Sequence, residues 1–190
     1  MGGVTFAENE LWHAVFGNSN PVEVEIGPER GTFLLAAAAA RPDRNYVGIE
    51  RSASRVRRIE SRLEREPRPN VRVVQGDAFF VLEHCIPPES VSAFHLYFPD
   101  PWWKRRHHRR RVTTPRFASL LVRALRSGGT VHFATDVEET FRLGCTSFEA
   151  TGRLERVSDR CPRPVVTAYE RKALARGRPI FEATYRKKEA

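Results

Sequence analysis

From residue 22 to residue 136, short apolar runs alternate with helical segments, and this alternation limits the folds open to the chain more than any other feature. Residues 22–26 read as a strand, 31–40 as an alanine-rich helix closed by Arg41-Pro42, and 46–49 as a second strand. A highly charged helix over 53–66 follows, ended by Pro67 and Pro69, then a third strand at 71–74 and a short helix at 78–84. Residues 91–98 form an apolar run, which marks a buried fourth strand. Residues 115–125 carry Phe117, Leu120, Leu121, Ala124 and Leu125 at helical spacing, and Gly128-Gly129 turns the chain into a strand at 130–134. Five strand–helix alternations with short connections predict an α/β fold whose mostly parallel sheet is covered by helices on both faces. In such sheets ligands bind at the carboxyl ends of the strands, near the topological switch point. Residues 137–148 read as a further helix, and the alternation over 180–186 suits a last, antiparallel strand. Residues 1–20, which include Gly2, Gly3, Gly17, Asn18, Ser19 and Asn20, read as a loose lead-in to a single domain over 21–190.

Each of the first four strands finishes at or beside a carboxylate: Glu25, Glu50, Asp77 and Asp100. Strand carboxyl ends converge on one rim, so the four acids are expected to face one crevice. Any one of them reads equally well as the cap of the helix that follows; four in a row do not. Gly27 and Gly31 bracket the first turn, where glycine permits close approach of the backbone to a ligand and the helix start offers free N–H groups. Glu50 stands where an acid holds the ribose hydroxyls of adenosine ligands, and Asp77-Ala78 stands where an adenine amino group would be met. The same acids disfavour a pyrophosphate: the first turn carries Glu25 and Glu29, lacks the middle glycine of the dinucleotide fingerprint, and no Gly-Lys-Ser/Thr loop exists. A cationic adenosine cofactor suits this rim, which means S-adenosylmethionine.

Residues 98–111 read Phe-Pro-Asp-Pro-Trp-Trp-Lys-Arg-Arg-His-His-Arg-Arg-Arg. The two prolines lack an N–H and fix φ, so the fourth strand must stop and Asp100 is carried on a stiff loop. The tryptophans offer flat surfaces for stacking, with packing of the loop onto the core the preferred reading for Trp102. Lys104 to Arg111 offer a dense row of phosphate-seeking cations. With 32 Lys plus Arg against 23 Asp plus Glu, a net charge of +9 also points to a polyanionic partner. The longest apolar stretch, residues 33–40, is far too short to span a bilayer. Cys85, Cys145 and Cys161 show neither metal nor redox spacing and read as reduced intracellular thiols, so a cytoplasmic protein is expected. His107 and His108 lack further His or Cys at ligand spacing, and no metal is expected.

These residues resemble the bacterial tRNA (guanine-N7)-methyltransferases. The matching stretches are Val24-Glu25-Ile26-Gly27, Asn45-Tyr46-Val47-Gly48-Ile49-Glu50, Asn70-Val71-Arg72 through Gly76-Asp77-Ala78, the run from Phe98 to Arg111, His132-Phe133-Ala134-Thr135-Asp136, Arg163-Pro164 and Thr167-Ala168-Tyr169-Glu170-Arg171. The resemblance implies a Rossmann-like class I methyltransferase sheet of seven strands with the last one reversed. It also implies that Glu25, Glu50 and Asp77 hold S-adenosylmethionine while Asp100 sits at the reacting centre. Lys104, Asp136, Thr167, Tyr169 and Glu170 would contact a guanosine of the tRNA variable loop, and Arg106, His107, His108, Arg109, Arg110 and Arg111 would lie against the RNA backbone. The family usually has a glycine where Glu29 stands. A monomer is the simplest expectation. A methyltransferase of another RNA or of a small molecule, and a catalytically silent RNA-binding relative, are the alternatives.

Overall fold

The computed structural model describes residues 10–189. Seven strands form one sheet in the order β3-β2-β1-β4-β5-β7-β6. They are β1 (Val22–Ile26), β2 (Asn45–Glu50), β3 (Val71–Gln75), β4 (Val91–Tyr97), β5 (Leu125–Thr135), β6 (Leu154–Ser158) and β7 (Phe181–Lys187). β1 to β5 run parallel, and β7 enters antiparallel between β5 and β6. The helices are α1 (Glu10–Phe16), α2 (Thr32–Ala40), α3 (Ala53–Arg65), α4 (Ala78–His84), α5 (Pro115–Ala124), α6 (Glu138–Glu149) and α7 (Ala168–Ala175), with a 3₁₀ helix at Arg105–Arg110.

Successive strand side chains point to opposite faces, so the sheet divides the core in two. Val24, Val47, Ile49, Phe94 and Leu96 pack with α1, α4, α5 and α6 residues, whereas Tyr46 and Tyr97 join Phe33, Leu34 and Ile59 of α2 and α3. Cover on both faces explains why all of β1, β2 and β4 is buried. α3 leaves Arg57, Arg58 and Arg65 in solvent and buries Val56 and Ile59. Thr114 caps α5 by accepting the Phe117 amide, and Pro115 occupies the first turn, where its missing N–H costs nothing. Topologically, the chain leaves β3 at one edge and returns to β4 on the far side of β1. The crevice at the carboxyl ends of β1 and β4 is therefore the switch point.

The lead-in reading needs correction. Residues 1–9 lie outside the described part, but α1 docks firmly: Trp12 is buried and its indole N–H donates to the Ser90 carbonyl at 3.0 Å. A helix of under two turns is held by tertiary packing rather than by its own propensity, so no periodicity announces it. The residue pattern likewise does not locate β6 and α7. β6 buries only Leu154, which erases any apolar alternation. α7 did leave a signal, because Thr167 and Glu170 form a reciprocal capping box.

Candidate active site

The four acids read from the strand ends do meet. A cavity of about 460 Å³ opens at the switch point, and Glu25, Glu50, Asp77 and Asp100 all line it, together with Gly27 and Tyr97. Glu50 is 3% exposed and aimed before any ligand arrives, since its carboxylate accepts the Ser52 amide at 2.8 Å and the Glu29 amide at 3.3 Å. Asp77 caps α4 by accepting the Phe79 amide at 3.0 Å and also lines the cavity beside Ala78, so the capping and the ligand-facing readings hold together. Gly27 has φ of +72° with open space where a side chain would stand, which leaves its backbone approachable.

Glu25 is the unusual member. Burial pushes its carboxyl up to about 8, with the Glu50 carboxylate adding to the rise and the Leu34 amide opposing it. Its Oε2 is buried without a hydrogen-bond partner. A buried carboxylate oxygen left unpaired at a ligand cavity is suited to a cationic group that the protein itself does not supply.

Asp100 is exposed and stands on a wall shared by two cavities, for it also lines a smaller one of about 210 Å³. Its loop is bracketed by two non-glycine residues in the left-handed region, Phe98 at φ 50° and Trp102 at φ 45°. Such backbone costs about 1–3 kcal/mol per residue and persists only where the surroundings enforce it. Here the Phe98 amide donates to the Ala134 carbonyl at 2.7 Å, and Arg111 donates to the Pro101 carbonyl at 2.8 Å. Trp102 is clasped between the Arg110 guanidinium, 5.2 Å from its ring, and the His107 ring at 5.4 Å. Tyr97 links the cavity to a buried polar chain: its hydroxyl meets His95 Nδ1 at 3.0 Å, and His95 Nε2 meets Glu23 at 2.9 Å.

Not every expected residue reaches a cavity. Gly31 does not reach the cavity; a side chain there would press on Ile59 at 3.2 Å, so this glycine serves helix packing. Arg111 braces the Asp100 loop and pairs with Glu139 at 3.6 Å, which removes it from the row of free cations. Glu170 is buried: its carboxylate takes the Arg163 guanidinium at 2.7 Å and the Thr167 amide at 3.4 Å, and both cavities are lined without it. Lys104 and Arg106 are exposed and line neither cavity, His108 is half-buried, and the side chain of Arg109 lies outside the described part. Thr167 lines the larger cavity, Asp136 the smaller, and Tyr169 both. Sequence reasoning missed Arg163, which pairs with Glu170 and Glu182 while lying 5.3 Å from the Tyr97 ring centre. It thereby ties α7 to the sheet. Its only sequence signal was its place in the Arg163-Pro164 stretch.

Among the described residues, no helix is long and apolar enough to cross a membrane, and no group of three or more His, Cys, Asp or Glu could hold a metal ion.

Comparison with known proteins places this geometry. A family model described as "Putative methyltransferase" matches residues 19–183. The tRNA (guanine-N(7)-)-methyltransferase of Burkholderia lata is 37% identical over 183 residues, which span 94% of this chain and 72% of that protein. The enzyme of the same name from Myxococcus xanthus is 34% identical over 189 residues, 95% of this chain and 92% of that one. The chain belongs to the tRNA (guanine-N(7)-)-methyltransferase family. Its fold also matches the crystal structure of the aminoglycoside resistance methyltransferase NpmB1, with a TM-score of 0.66, 16% identity and coverage of 95% and 93% of the two chains. The expected Rossmann-like methyltransferase sheet is thus present, with one refinement: the reversed strand is β7, and β6 lies outside it at the sheet edge.

Proposed function

We propose that this chain transfers a methyl group from S-adenosylmethionine to N7 of a guanosine in the variable loop of tRNA, in the cytoplasm and as a monomer. One observation carries the reading: the rigid Asp100 loop stands between two cavities and belongs to both, so a donor on one side and an acceptor on the other would meet at a single carboxylate.

The larger cavity fits the cofactor. Glu25, with its unpartnered Oε2, suits the positive charge of the methionine part, and Gly27 lets the backbone close on it. Glu50, held by two amides, suits the ribose hydroxyls, and Asp77 suits the adenine amino group. When bound, the sulfonium supplies an electrophilic methyl group. Guanine N7 carries a lone pair and no proton at neutral pH, so the protein needs no general base. Its tasks are alignment and stabilisation of the positive charge that grows on the purine. Asp100 does the second through its negative charge and the first by accepting a hydrogen bond from the base. Asp136, in the smaller cavity, can accept from the adjacent guanine N1–H and amino group, and Tyr169, which lines both cavities, encloses the base. The tRNA substrate is supported by the names of the relatives and by the net charge of +9.

Incubation with bulk tRNA and S-adenosylmethionine, followed by nucleoside mass spectrometry, should reveal N7-methylguanosine. A different methylated nucleoside would reassign the substrate. No methylation, together with no thermal shift on adding S-adenosylhomocysteine, would end the enzymatic reading.

A further inference from the structure

The smaller cavity holds a group of cations that the mechanism does not use. Asp100 and Asp136 stand in it as anions, and Lys172, Arg176 and Arg178 stand in it as cations. Sequence spacing hides this cationic group, because it is scattered through a mixed segment. Folding assembles it. Lys172 and Arg176 are four apart along α7 and its exit, which sets them on one face. Gly177, at φ +64°, then reverses the chain, and the Arg178 amide returns to the Ala173 carbonyl at 3.0 Å. Lys172 and Arg176 are exposed and have no carboxylate partner among the described residues, while Arg178 donates to Asp136 at 3.0 Å. Trp103, 63% exposed, lines the same cavity.

Acids beside cations around a nucleotide-sized hollow match the polarity of a guanosine unit in RNA, with N–H donors on the base edge and anionic phosphates on either side. We propose that Lys172, Arg176 and Arg178 grip the RNA phosphates that flank the methylated guanosine, and that Trp103 stacks on the neighbouring base. This is an RNA contact separate from the Lys104–Arg111 arm, and it deepens the reading of the site as a tRNA methyltransferase centre. Arg178 has a second part to play. It covers Asp136 in the free protein and is released to the phosphates once guanine donors take that carboxylate.

The test measures fluorescence anisotropy of a labelled tRNA transcript with the full chain, from about 50 to 200 mM salt. The Lys172→Ala/Arg176→Ala variant should bind more weakly and flatten the slope of log K against log [salt] by about 1.5, since each lost phosphate contact removes about 0.7–0.9. The charge-conserving Lys172→Arg/Arg176→Lys variant should keep the wild-type slope. Trp103→Ala should weaken binding about tenfold with the slope unchanged, as loss of stacking does. An unchanged slope in the alanine variant overturns the grip, and so does an equal loss in the charge-conserving variant. Nucleoside analysis of the wild type separates the two readings. Active enzyme with an indifferent slope removes the grip alone, whereas a responsive slope without N7-methylguanosine supports the grip and removes the reading of guanosine N7 as the methylated atom.

Discussion

Glu50 and Asp100 line the same cavity, yet they are built in opposite ways. Glu50 is buried and oriented by two backbone amides, with Arg55 at 3.7 Å as a further partner. Asp100 is exposed, and what holds it is the backbone on either side: two prolines, two left-handed residues and the Arg111 brace. The difference separates a half of the site that is oriented within the fold from a half left open to solvent. A buried polar group must be satisfied within the fold, whereas an acid that serves an incoming macromolecule has to remain accessible.

The strongest way to break this comparison is Asp100→Asn. Turnover should fall by about 10²–10³-fold, the loss expected when one group that stabilises transition-state charge is removed. Affinity for S-adenosylhomocysteine, measured by calorimetry, should stay within about twofold; near-normal turnover would take Asp100 out of the reaction. Glu25 sharpens the other half through pH. Its carboxyl is protonated in the unliganded protein below about 8, so a cationic ligand must drive the proton off. Affinity for S-adenosylmethionine should therefore rise by up to about tenfold per pH unit toward 8 and level off above it. The same shift acts on stability with a defined sign. Between 4.5 and about 8 the folded protein keeps a proton that the unfolded chain has released, so the unliganded protein loses stability as pH rises through that window. Glu25→Gln should flatten both profiles, and a wild type without either trend would show that Glu25 ionises normally. The smallest effect belongs to Glu29, whose φ of 51° is a conformation glycine adopts without strain. Glu29→Gly should stabilise the protein by about 1 kcal/mol and raise Tm by about 2–4 °C. A lower Tm would show that the Glu29 side chain contributes more than its backbone strain costs.

The oriented half was the legible half. Apolar runs bounded by Pro and Gly located β1 to β4, and a strand end can deliver its acid only to one rim, so the meeting of Glu25, Glu50 and Asp77 followed from spacing. The open half was harder to read because its residues act through tertiary partners. Arg111 belongs to a conspicuous run of cations, and nothing in that run distinguishes a brace from a phosphate contact. Glu170 sits in a recognisable motif, but only the fold shows that Arg163 and Glu182 draw its carboxylate inward. Gly31 stands at a ligand-binding position of the turn, and the bulk of Ile59 from a separate helix decides its use. The cations of α7 escaped notice for the complementary reason: charge density along the chain is no guide to charge density in space.

The placement of β7 has a consequence for how the protein comes into being. The seventh strand in synthesis lies between the fifth and the sixth in space, and Lys187 near its end clips onto Glu89 and the Leu125 carbonyl. A nascent polypeptide emerging from the ribosome can assemble β1 to β5 early, but β5 keeps a bare edge and β6 has nowhere to dock until the seventh strand is released. Arg163 cannot complete its clamp before then either, because Glu182 belongs to that strand. The strand-end wall of the larger cavity can therefore form first, while the wall that Thr167 and Tyr169 add is fastened only when the last strand closes the gap.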